Sequence, residues 1–188
     1  MSLAIYGDSY TVGRGTSDPT RRWSSLVCSR RGWQEFNEGI NGLGFVRKRE
    51  DRDGHSAGVE RIIAAGADVV LVSLGTNDTV MFNEHAEAIA HNMVVDLADL
   101  RDGLPEARIL VMEPFWAYTE LPYKVVAIRA WLAKAAADIG LDYVDGVSNY
   151  FAGRPEFLDP DGLHANDAGH LLIAQFIDGM LTQRGLTP

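Results

Sequence analysis

Three residues of the sequence, Ser9, Asp161 and His164, have the chemistry of a nucleophile, a carboxylate and a base. A serine hydroxyl is a weak nucleophile until a neighbouring base takes its proton, and histidine suits that task near neutral pH. Because Asp161 precedes His164 by three residues, one loop or helical turn can bring its carboxylate to the imidazole and fix the tautomer. These residue types favour nucleophilic attack on an ester carbonyl, provided that the fold brings Ser9 to His164.

Such an attack turns the carbonyl oxygen into an oxyanion, which needs hydrogen-bond donors already in place. The backbone N–H of Ser9, the backbone N–H of Gly42 and the side-chain amide of Asn77 can supply three donors. Glycine has no Cβ, so Gly42 would allow a ligand to approach its backbone closely. The acidic neighbours Asp8 and Asp78 are predicted to order the turns around Ser9 and Asn77 rather than to transfer protons.

Short apolar runs alternate with helical patterns along the chain, and polar residues follow several of the runs. The predicted strands are Leu3–Tyr6, Trp33–Gly39, a run within Ala67–Asp78, Arg108–Met112 and Leu141–Val144. The predicted helices are Arg21–Arg31, Ser56–Ala65, Phe82–Arg101, Val125–Ile139 and Asn166–Thr182. The third strand is the clearest, because Val69–Leu74 is apolar except for Ser73, as expected of a strand buried on both faces.

Strands that alternate with helices predict an α/β fold, a three-layer α/β/α sandwich with a parallel sheet in the middle. The expected five-stranded sheet has the flavodoxin-like order 2-1-3-4-5. The candidate residues Ser9, Gly42, Asn77 and His164 all follow the carboxyl ends of strands, where ligands bind in such sheets. No repeat or Pro/Gly/Ser-rich linker interrupts the pattern, so we expect one domain over residues 1–188.

Four blocks of the sequence resemble those of the SGNH (GDSL-type) hydrolase family, whose name lists serine, glycine, asparagine and histidine. The blocks are Gly7-Asp8-Ser9, Asn37-Glu38-Gly39-Ile40-Asn41-Gly42, Gly75-Thr76-Asn77-Asp78 and Asp161-Gly162-Leu163-His164. They occur in the family's order, although Tyr10 replaces the leucine that follows the family's serine. The resemblance implies a flavodoxin-like fold, ester hydrolysis through a covalent acyl-enzyme, and no metal or other cofactor. It leaves the substrate open, since the family includes lipases, carbohydrate deacetylases, thioesterases and acyltransferases.

Bulky side chains near the strand ends are candidates for the walls of a substrate pocket, namely Tyr10, Phe115, Trp116 and Tyr118. Aromatic residues can hold acyl or sugar groups, but the three that follow the fourth strand can equally pack against neighbouring loops. The chain has 188 residues and no long apolar insertion that would serve as a lid. We therefore expect a small-molecule ester substrate with a short acyl chain, or an acetylated small molecule or sugar.

Other interpretations of the same residues stay open. An acyltransferase would use the same acyl-enzyme, whereas a non-catalytic flavodoxin-like module would bind a ligand with the same loops. Asp159 rivals Asp161 as the partner of His164. His55 could also reach the carboxyl edge of the sheet where ligands bind, although the sequence pairs it with no acid. Asp159, Asp161 and His164 also resemble a set of metal ligands, but a metal site needs further ligands that the sequence does not space for it.

The composition limits the partners. The chain has 17 basic and 26 acidic residues and a net charge of -9, which argues against nucleic acid as a binding partner. The basic run Arg47–Arg49 is followed by acidic residues and is predicted to be a solvated loop. Cys28 is the only cysteine, so no disulfide can form within the chain. No apolar run approaches the roughly 18 residues of a membrane span. No signal peptide is visible, so we expect a cytoplasmic protein, or a secreted one if a leader was removed; the sequence indicates no oligomeric state.

Overall fold

The apolar runs of the sequence form one parallel sheet in the computed structural model, which describes residues 1–187. The strands are β1 (Ser2–Gly7), β2 (Gln34–Gly39), β3 (Asp51–Arg52), β4 (His55–Ser56), β5 (Val69–Ser73), β6 (Arg108–Met112) and β7 (Asp142–Val144). The helices are α1 (Ser9–Val12), α2 (Trp23–Arg31), α3 (Ala57–Ala65), α4 (Phe82–Gly103), α5 (Tyr123–Ile139) and α6 (Asp167–Gln183). The sheet order is β2-β1-β5-β6-β7, with β3 and β4 pairing separately as a short ribbon. This confirms the predicted order 2-1-3-4-5.

Alternate residues of the buried strands point to opposite faces of the sheet, and each face has its own core. On one face, Tyr6 and Val72 pack in a cluster with residues of α3, α4 and α5. On the other face, Ile5 and Leu71 pack with residues of α2 and α6. Helices therefore cover both faces and give the predicted α/β/α layers. Within residues 1–187, none of these helices combines the length and the apolar character needed to cross a membrane.

Three neighbouring strands end level with one another at the carboxyl edge of the sheet. Gly7, the last residue of β1, pairs with Gly39 of β2 and with Ser73 of β5. The chain therefore leaves the sheet at the same height on all three strands, and the loops that follow them meet above one point. Residues that are far apart in the sequence can share a cavity there.

Several helix ends lie where the sequence placed them, because glycine readily takes the left-handed conformation that terminates a helix. Gly32, Gly66 and Gly140 follow α2, α3 and α5 in this conformation. The start of α2 differs from the prediction, since Pro19–Arg21 forms a separate 3₁₀ turn and α2 begins at Trp23. The long loop after β2 also differs, because it contains the ribbon of β3 and β4.

Candidate active site

Ser9 is the first residue of α1 and lies directly after the carboxyl end of β1. Asp8 caps this short helix, because its Oδ1 accepts a hydrogen bond from the backbone N–H of Tyr10 at 3.0 Å. A Cβ on Gly7 would lie 2.1 Å from Oγ1 of Thr11, so this position has no room for a side chain. The Gly-Asp-Ser sequence thus forms a tight strand-to-helix turn that holds Ser9 at the edge of the sheet.

The loop before α6 holds His164 against Ser9. Nε2 of His164 lies 2.9 Å from Oγ of Ser9, and Nδ1 lies 2.6 Å from Oδ2 of Asp161. The other oxygen of Asp161 accepts the backbone N–H groups of Leu163 and His164, both at 2.9 Å. Asp159, the rival acid, donates its backbone N–H to the carbonyl of His164 at 2.7 Å. The structure therefore brings Ser9, Asp161 and His164 together, and it is Asp161 that contacts the imidazole.

The charge on Asp161 fixes the position of the proton on the imidazole. Burial alone would raise the pKa of this carboxyl, but hydrogen bonds from the ring and backbone of His164 and from the backbone of Leu163 outweigh burial and lower the pKa to about 2. An ionised carboxylate can only accept hydrogen bonds, so Nδ1 of His164 carries the hydrogen. Nε2 then presents its lone pair to the hydroxyl of Ser9, as a general base requires.

The two other predicted donors, Gly42 and Asn77, line the same cavity as Ser9. Nδ2 of Asn77 donates to the carbonyl of Leu43 at 3.0 Å and to Oδ2 of Asp8 at 3.2 Å. Gly42 has a φ angle of 80°, a left-handed conformation that glycine adopts without steric cost. Both donors are therefore at the cavity, but Nδ2 of Asn77 is already bonded to acceptors within the protein.

Arg47 connects these two donors, a contact that the sequence did not suggest. Its Nη1 donates to Oδ1 of Asn77 at 3.0 Å and to the carbonyl of Gly42 at 3.2 Å. The first bond orients the amide, because Oδ1 must face the guanidinium and Nδ2 must then face Asp8. The second bond connects the backbone of Gly42 to the same guanidinium, so Arg47 fixes the positions of the two donors relative to each other.

Asp78 shapes the loop that carries Gly42 and Arg47. Its carboxylate accepts the backbone N–H groups of Phe45, Val46 and Arg47 at 2.7, 2.9 and 3.2 Å. Burial raises the pKa of Asp78, while these three N–H groups favour the charged form. A carboxylate bonded in this way orders the loop around it, in keeping with the role predicted for Asp78.

Asp8 lines the cavity but is almost completely buried, with only 3% of its surface exposed. Burial raises the pKa of this carboxyl to about 7, and the charge of Asp78 adds to the increase, although the backbone N–H of Tyr10 opposes it. The amide of Asn77 also favours the charged form, since it donates to the second oxygen. Asp8 is therefore a buried carboxyl that changes charge near neutral pH.

The cavity beside Ser9 has a volume of about 280 Å³, and of the four predicted wall residues only Tyr10 lines it. Phe115 is 2% exposed and packs edge-to-face against Tyr10, with 5.3 Å between ring centroids. Trp116 and Tyr118 pack against each other at 5.5 Å. The structure does not bring Phe115, Trp116 or Tyr118 to this cavity, because the loop after β6 uses them for packing.

The basic run Arg47–Arg49 is only in part the solvated loop that the sequence predicted, since Lys48 is exposed whereas Arg47 is half-buried. Arg47 and Lys48 line the cavity together with Arg14. The side chain of Arg49 is 3% exposed and pairs with the fully buried Asp96 at 2.5 Å. The prediction was wrong for Arg49, because its partner Asp96 comes from α4, far along the chain, and no local pattern reveals that contact.

Two further histidines have partners away from the cavity. The sequence paired His55 with no acid, but its Nδ1 lies 2.6 Å from Oδ2 of Asp99. His170 is fully buried, its Nδ1 accepts the backbone N–H of Trp23 at 3.2 Å, and burial lowers its pKa to about 4. Across residues 1–187, no three His, Cys, Asp or Glu side chains are grouped as ligands for a metal ion.

A serine, a histidine and an aspartate joined by hydrogen bonds at the carboxyl edge of a parallel sheet have the arrangement of a serine hydrolase. The chain belongs to the GDSL-like lipase/acylhydrolase family, whose model matches residues 5–172. A GDSL lipase from Mycobacterium tuberculosis is 32% identical over 195 residues, which cover 96% of this chain and 81% of that protein.

Solved structures share the fold at lower sequence identity. A psychrotrophic esterase from Pseudoalteromonas sp. superposes with a TM-score of 0.77 at 17% identity, covering 97% of each chain. A salicylyl-acyltransferase from a tetracycline biosynthetic pathway superposes with a TM-score of 0.78 at 23% identity, covering all of this chain and 55% of that one. These similarities show that the fold is shared with an esterase and with an acyltransferase.

Proposed function

We propose that this chain is a serine esterase that hydrolyses carboxylic esters through an acyl-enzyme on Ser9. The observation that carries the proposal is the continuous series of contacts from Asp161 through His164 to Ser9, at 2.6 and 2.9 Å. Membership of a lipase and acylhydrolase family supports the same chemistry. The relative named a GDSL lipase also supports it, because it matches nearly the whole chain.

In the first half of the reaction, Oγ of Ser9 attacks the ester carbonyl carbon while Nε2 of His164 takes the hydroxyl proton. Asp161 stabilises the imidazolium that forms. The tetrahedral intermediate expels the alcohol, which receives that proton from His164, and the acyl group stays on Ser9. In the second half, His164 takes a proton from water, the hydroxide attacks the acyl carbon, and the acid leaves as Ser9 regains its proton.

The negative charge on the carbonyl oxygen is bound by the backbone N–H groups of Ser9 and Gly42 and by the amide of Asn77. Nδ2 of Asn77 makes this contact by exchanging its 3.2 Å bond to Asp8, the longer of its two bonds, for a bond to the oxyanion. Arg47 keeps the amide in that orientation throughout, since its own bond is to the opposite atom, Oδ1.

The size of the cavity favours a short acyl group. A volume of about 280 Å³ lies below the range of roughly 300–1,000 Å³ that is usual for drug-sized ligands. Tyr10, its bulky wall residue, is almost completely buried and fixed by its neighbours. Short-chain esters and acetylated small molecules or sugars are therefore the substrate class that we assign.

Two measurements on Ser9→Ala test the proposal. Turnover of para-nitrophenyl acetate should fall by roughly 10³-fold or more, because removal of the nucleophile leaves only binding and oxyanion effects. Labelling by a fluorophosphonate, which requires an activated serine, should be lost. Ser29→Ala is the matched control, since Ser29 is exposed on α2, and it should retain both properties.

A folded Ser9→Ala protein that keeps most of its turnover or labelling would contradict the assignment of the nucleophile. Absence of turnover and labelling in the wild type would instead favour a binding module. Acyl transfer uses the same acyl-enzyme, and the fold is shared with an acyltransferase. Product analysis in the presence of a competing alcohol distinguishes the two, because transfer would give a new ester in place of the free acid.

A further inference from the structure

We propose that the cavity beside Ser9 contains a subsite for an anionic group, so that its preferred esters carry a carboxylate or a phosphate. The inference rests on the proposed function, since it names the substrate class of the same cavity. Three cationic side chains line that cavity, namely Arg14, Arg47 and Lys48. They do so in a chain with 26 acidic and only 17 basic residues.

Two of these cations converge above Gly42. The position that a Cβ would occupy on Gly42 lies 2.8 Å from Nη1 of Arg47 and 3.4 Å from Nζ of Lys48. Nζ of Lys48 is held there by the carbonyl of Asn41 at 2.8 Å. Like charges that are held together repel each other, and a bound anion removes that cost. The contact above Gly42 also places the pair next to the predicted oxyanion donors, within reach of a group on the substrate.

Neither cation forms a direct ion pair within the residues that the structure describes, although Arg47 interacts at longer range with the buried carboxylate of Asp78. No carboxylate oxygen of residues 1–187 lies within 4.0 Å of a side-chain nitrogen of Arg47 or Lys48. The adjacent Arg49, by contrast, is paired with Asp96 at 2.5 Å. Asp8 is the carboxyl among the residues that line the cavity, and its two oxygens accept hydrogen bonds from Tyr10 and Asn77. The guanidinium of Arg47 and the ammonium group of Lys48 therefore bring positive charge to the cavity without a direct ion pair.

The backbone of Lys48 is held in an unfavourable conformation. Its φ angle is 56°, and within residues 1–187 only Asp53, in the turn of the β3–β4 ribbon, is another non-glycine residue with positive φ. A left-handed conformation costs a lysine of the order of 1 kcal/mol or more. Such conformations persist where the surrounding structure imposes them, often at ligand sites. The side chain of Lys48, carried by this strained backbone, lines the cavity.

The third cation extends the positive charge to the His164 side of the cavity. Nε of Arg14 lies 3.9 Å from Oδ2 of Asp161, at the limit of an ion pair, and its side chain is 58% exposed. Asp161 is already bonded to His164 through the same oxygen, so Arg14 keeps most of its capacity for another anion. The leaving alcohol takes its proton from His164, so Arg14 would meet an anion on the alcohol portion. Lys48 and Arg47, which lie beside the predicted oxyanion donors, would instead meet an anion on the acyl portion.

Two matched pairs of esters test the subsite and identify the portion that carries the charge. para-Acetoxybenzoate and its methyl ester differ by one charge on the alcohol portion. para-Nitrophenyl hydrogen adipate and its methyl ester differ by one charge on the acyl portion. For each ester, kcat/KM is divided by its rate constant for hydroxide-catalysed hydrolysis, which corrects for intrinsic reactivity. The ratio of this corrected value for the anionic ester to that for the neutral ester is then compared among wild type, Lys48→Gln, Arg14→Gln and Arg30→Gln. Arg30 is the control, since it is exposed at the end of α2, at the opposite edge of the sheet.

We expect a ratio well above one in at least one pair, and a decrease of that ratio by about tenfold in Lys48→Gln or Arg14→Gln but not in Arg30→Gln. In the wild type, the ratio should also decrease when salt is raised from about 0.01 M to about 1 M, over which the screening length falls from roughly 30 Å to 3 Å. The salt experiment needs no variant and holds even if a substitution impairs folding.

Ratios at or below one in both pairs, or a ratio that neither salt nor the two cavity substitutions change, would overturn the subsite. That result leaves the esterase in place, provided that the neutral esters are hydrolysed and that Ser9→Ala abolishes this hydrolysis. Absence of Ser9-dependent hydrolysis for all four esters would overturn the proposed function, and the subsite with it.

Discussion

Replacing Asp8 with asparagine tests whether the Gly7-Asp8-Ser9 turn contains a carboxyl that is costly to ionise. Burial raises the pKa of Asp8 from 3.8 to about 7, so between these values the folded protein keeps a proton that the unfolded chain has lost. The stability contributed by this proton is complete below about pH 4 and is lost as the pH rises through about 7. Since one pKa unit equals about 1.36 kcal/mol, ionised Asp8 costs the fold about 4 kcal/mol above about pH 8.

The substitution also removes a hydrogen bond, which must be separated from the titration. Asp8 accepts from Tyr10 with one oxygen and from Asn77 with the other, whereas asparagine has only one oxygen. The lost bond costs about 1–3 kcal/mol, but this cost does not depend on pH. The difference in unfolding free energy between Asp8→Asn and wild type should therefore shift in favour of the variant by about 2.5 kcal/mol between about pH 5 and about pH 8.

Urea denaturation followed by circular dichroism across this pH range measures that difference. Burial also raises the pKa of Asp96, but this group titrates in wild type and variant alike and cancels. Asp78 is coupled to Asp8, because the charge of Asp78 contributes to the raised pKa of Asp8, so the predicted shift includes this coupling. Asp102→Asn, at an exposed position in α4, controls for the loss of one carboxylate. A difference between Asp8→Asn and wild type that stays constant with pH would refute the reasoning, since it would mean that Asp8 titrates alike in the folded and unfolded states.

Three further predictions concern activity on neutral esters. Arg47→Met should lower kcat by about tenfold with little change in KM, because Asn77 and Gly42 lose their shared donor; an unchanged kcat would show that Arg47 does not position them. Asp161→Asn should lower kcat by roughly 10³–10⁴-fold through the wrong imidazole tautomer, whereas Asp159→Asn should retain most activity, and the reverse result would exchange their roles. In an acyl series, kcat/KM should peak between acetyl and butyryl esters and then fall; a steady rise to dodecanoyl, at up to about 0.8 kcal/mol per methylene, would contradict the short pocket.

The sequence predicted the order of the sheet and the meeting of Ser9 with Asn77 for a common physical reason. Apolar strands buried on both faces leave a strong local pattern, and turn residues mark where each strand ends. The Gly-Asp-Ser turn after β1 and the Asn77 segment after β5 follow neighbouring strands whose ends are level. Their convergence follows from the topology alone. The roles of these residues in catalysis stay predictions until the variants are measured.

The long loop after β2 could not be predicted in the same way. Its conformation depends on Asp78, which accepts three of its backbone N–H groups, and on Asp96, which neutralises Arg49. Both acids lie in later segments of the chain. A run of basic residues therefore gives no local indication of which side chain is buried and which ones face a cavity.

The aromatic loop after β6 shows how a residue can be placed at the correct edge of the sheet without facing the cavity. Thr76 lines the cavity, and its Oγ1 donates to the carbonyl of Phe115 at 2.7 Å, while the ring of Phe115 is buried in the core. The ring packs edge-to-face on Tyr10, whose hydroxyl donates to the carbonyl of Leu163. Leu163 immediately precedes His164, so Phe115 supports the histidine loop through Tyr10. The phenylalanine that the sequence assigned to a pocket wall is thus connected to the site through packing and one hydrogen bond.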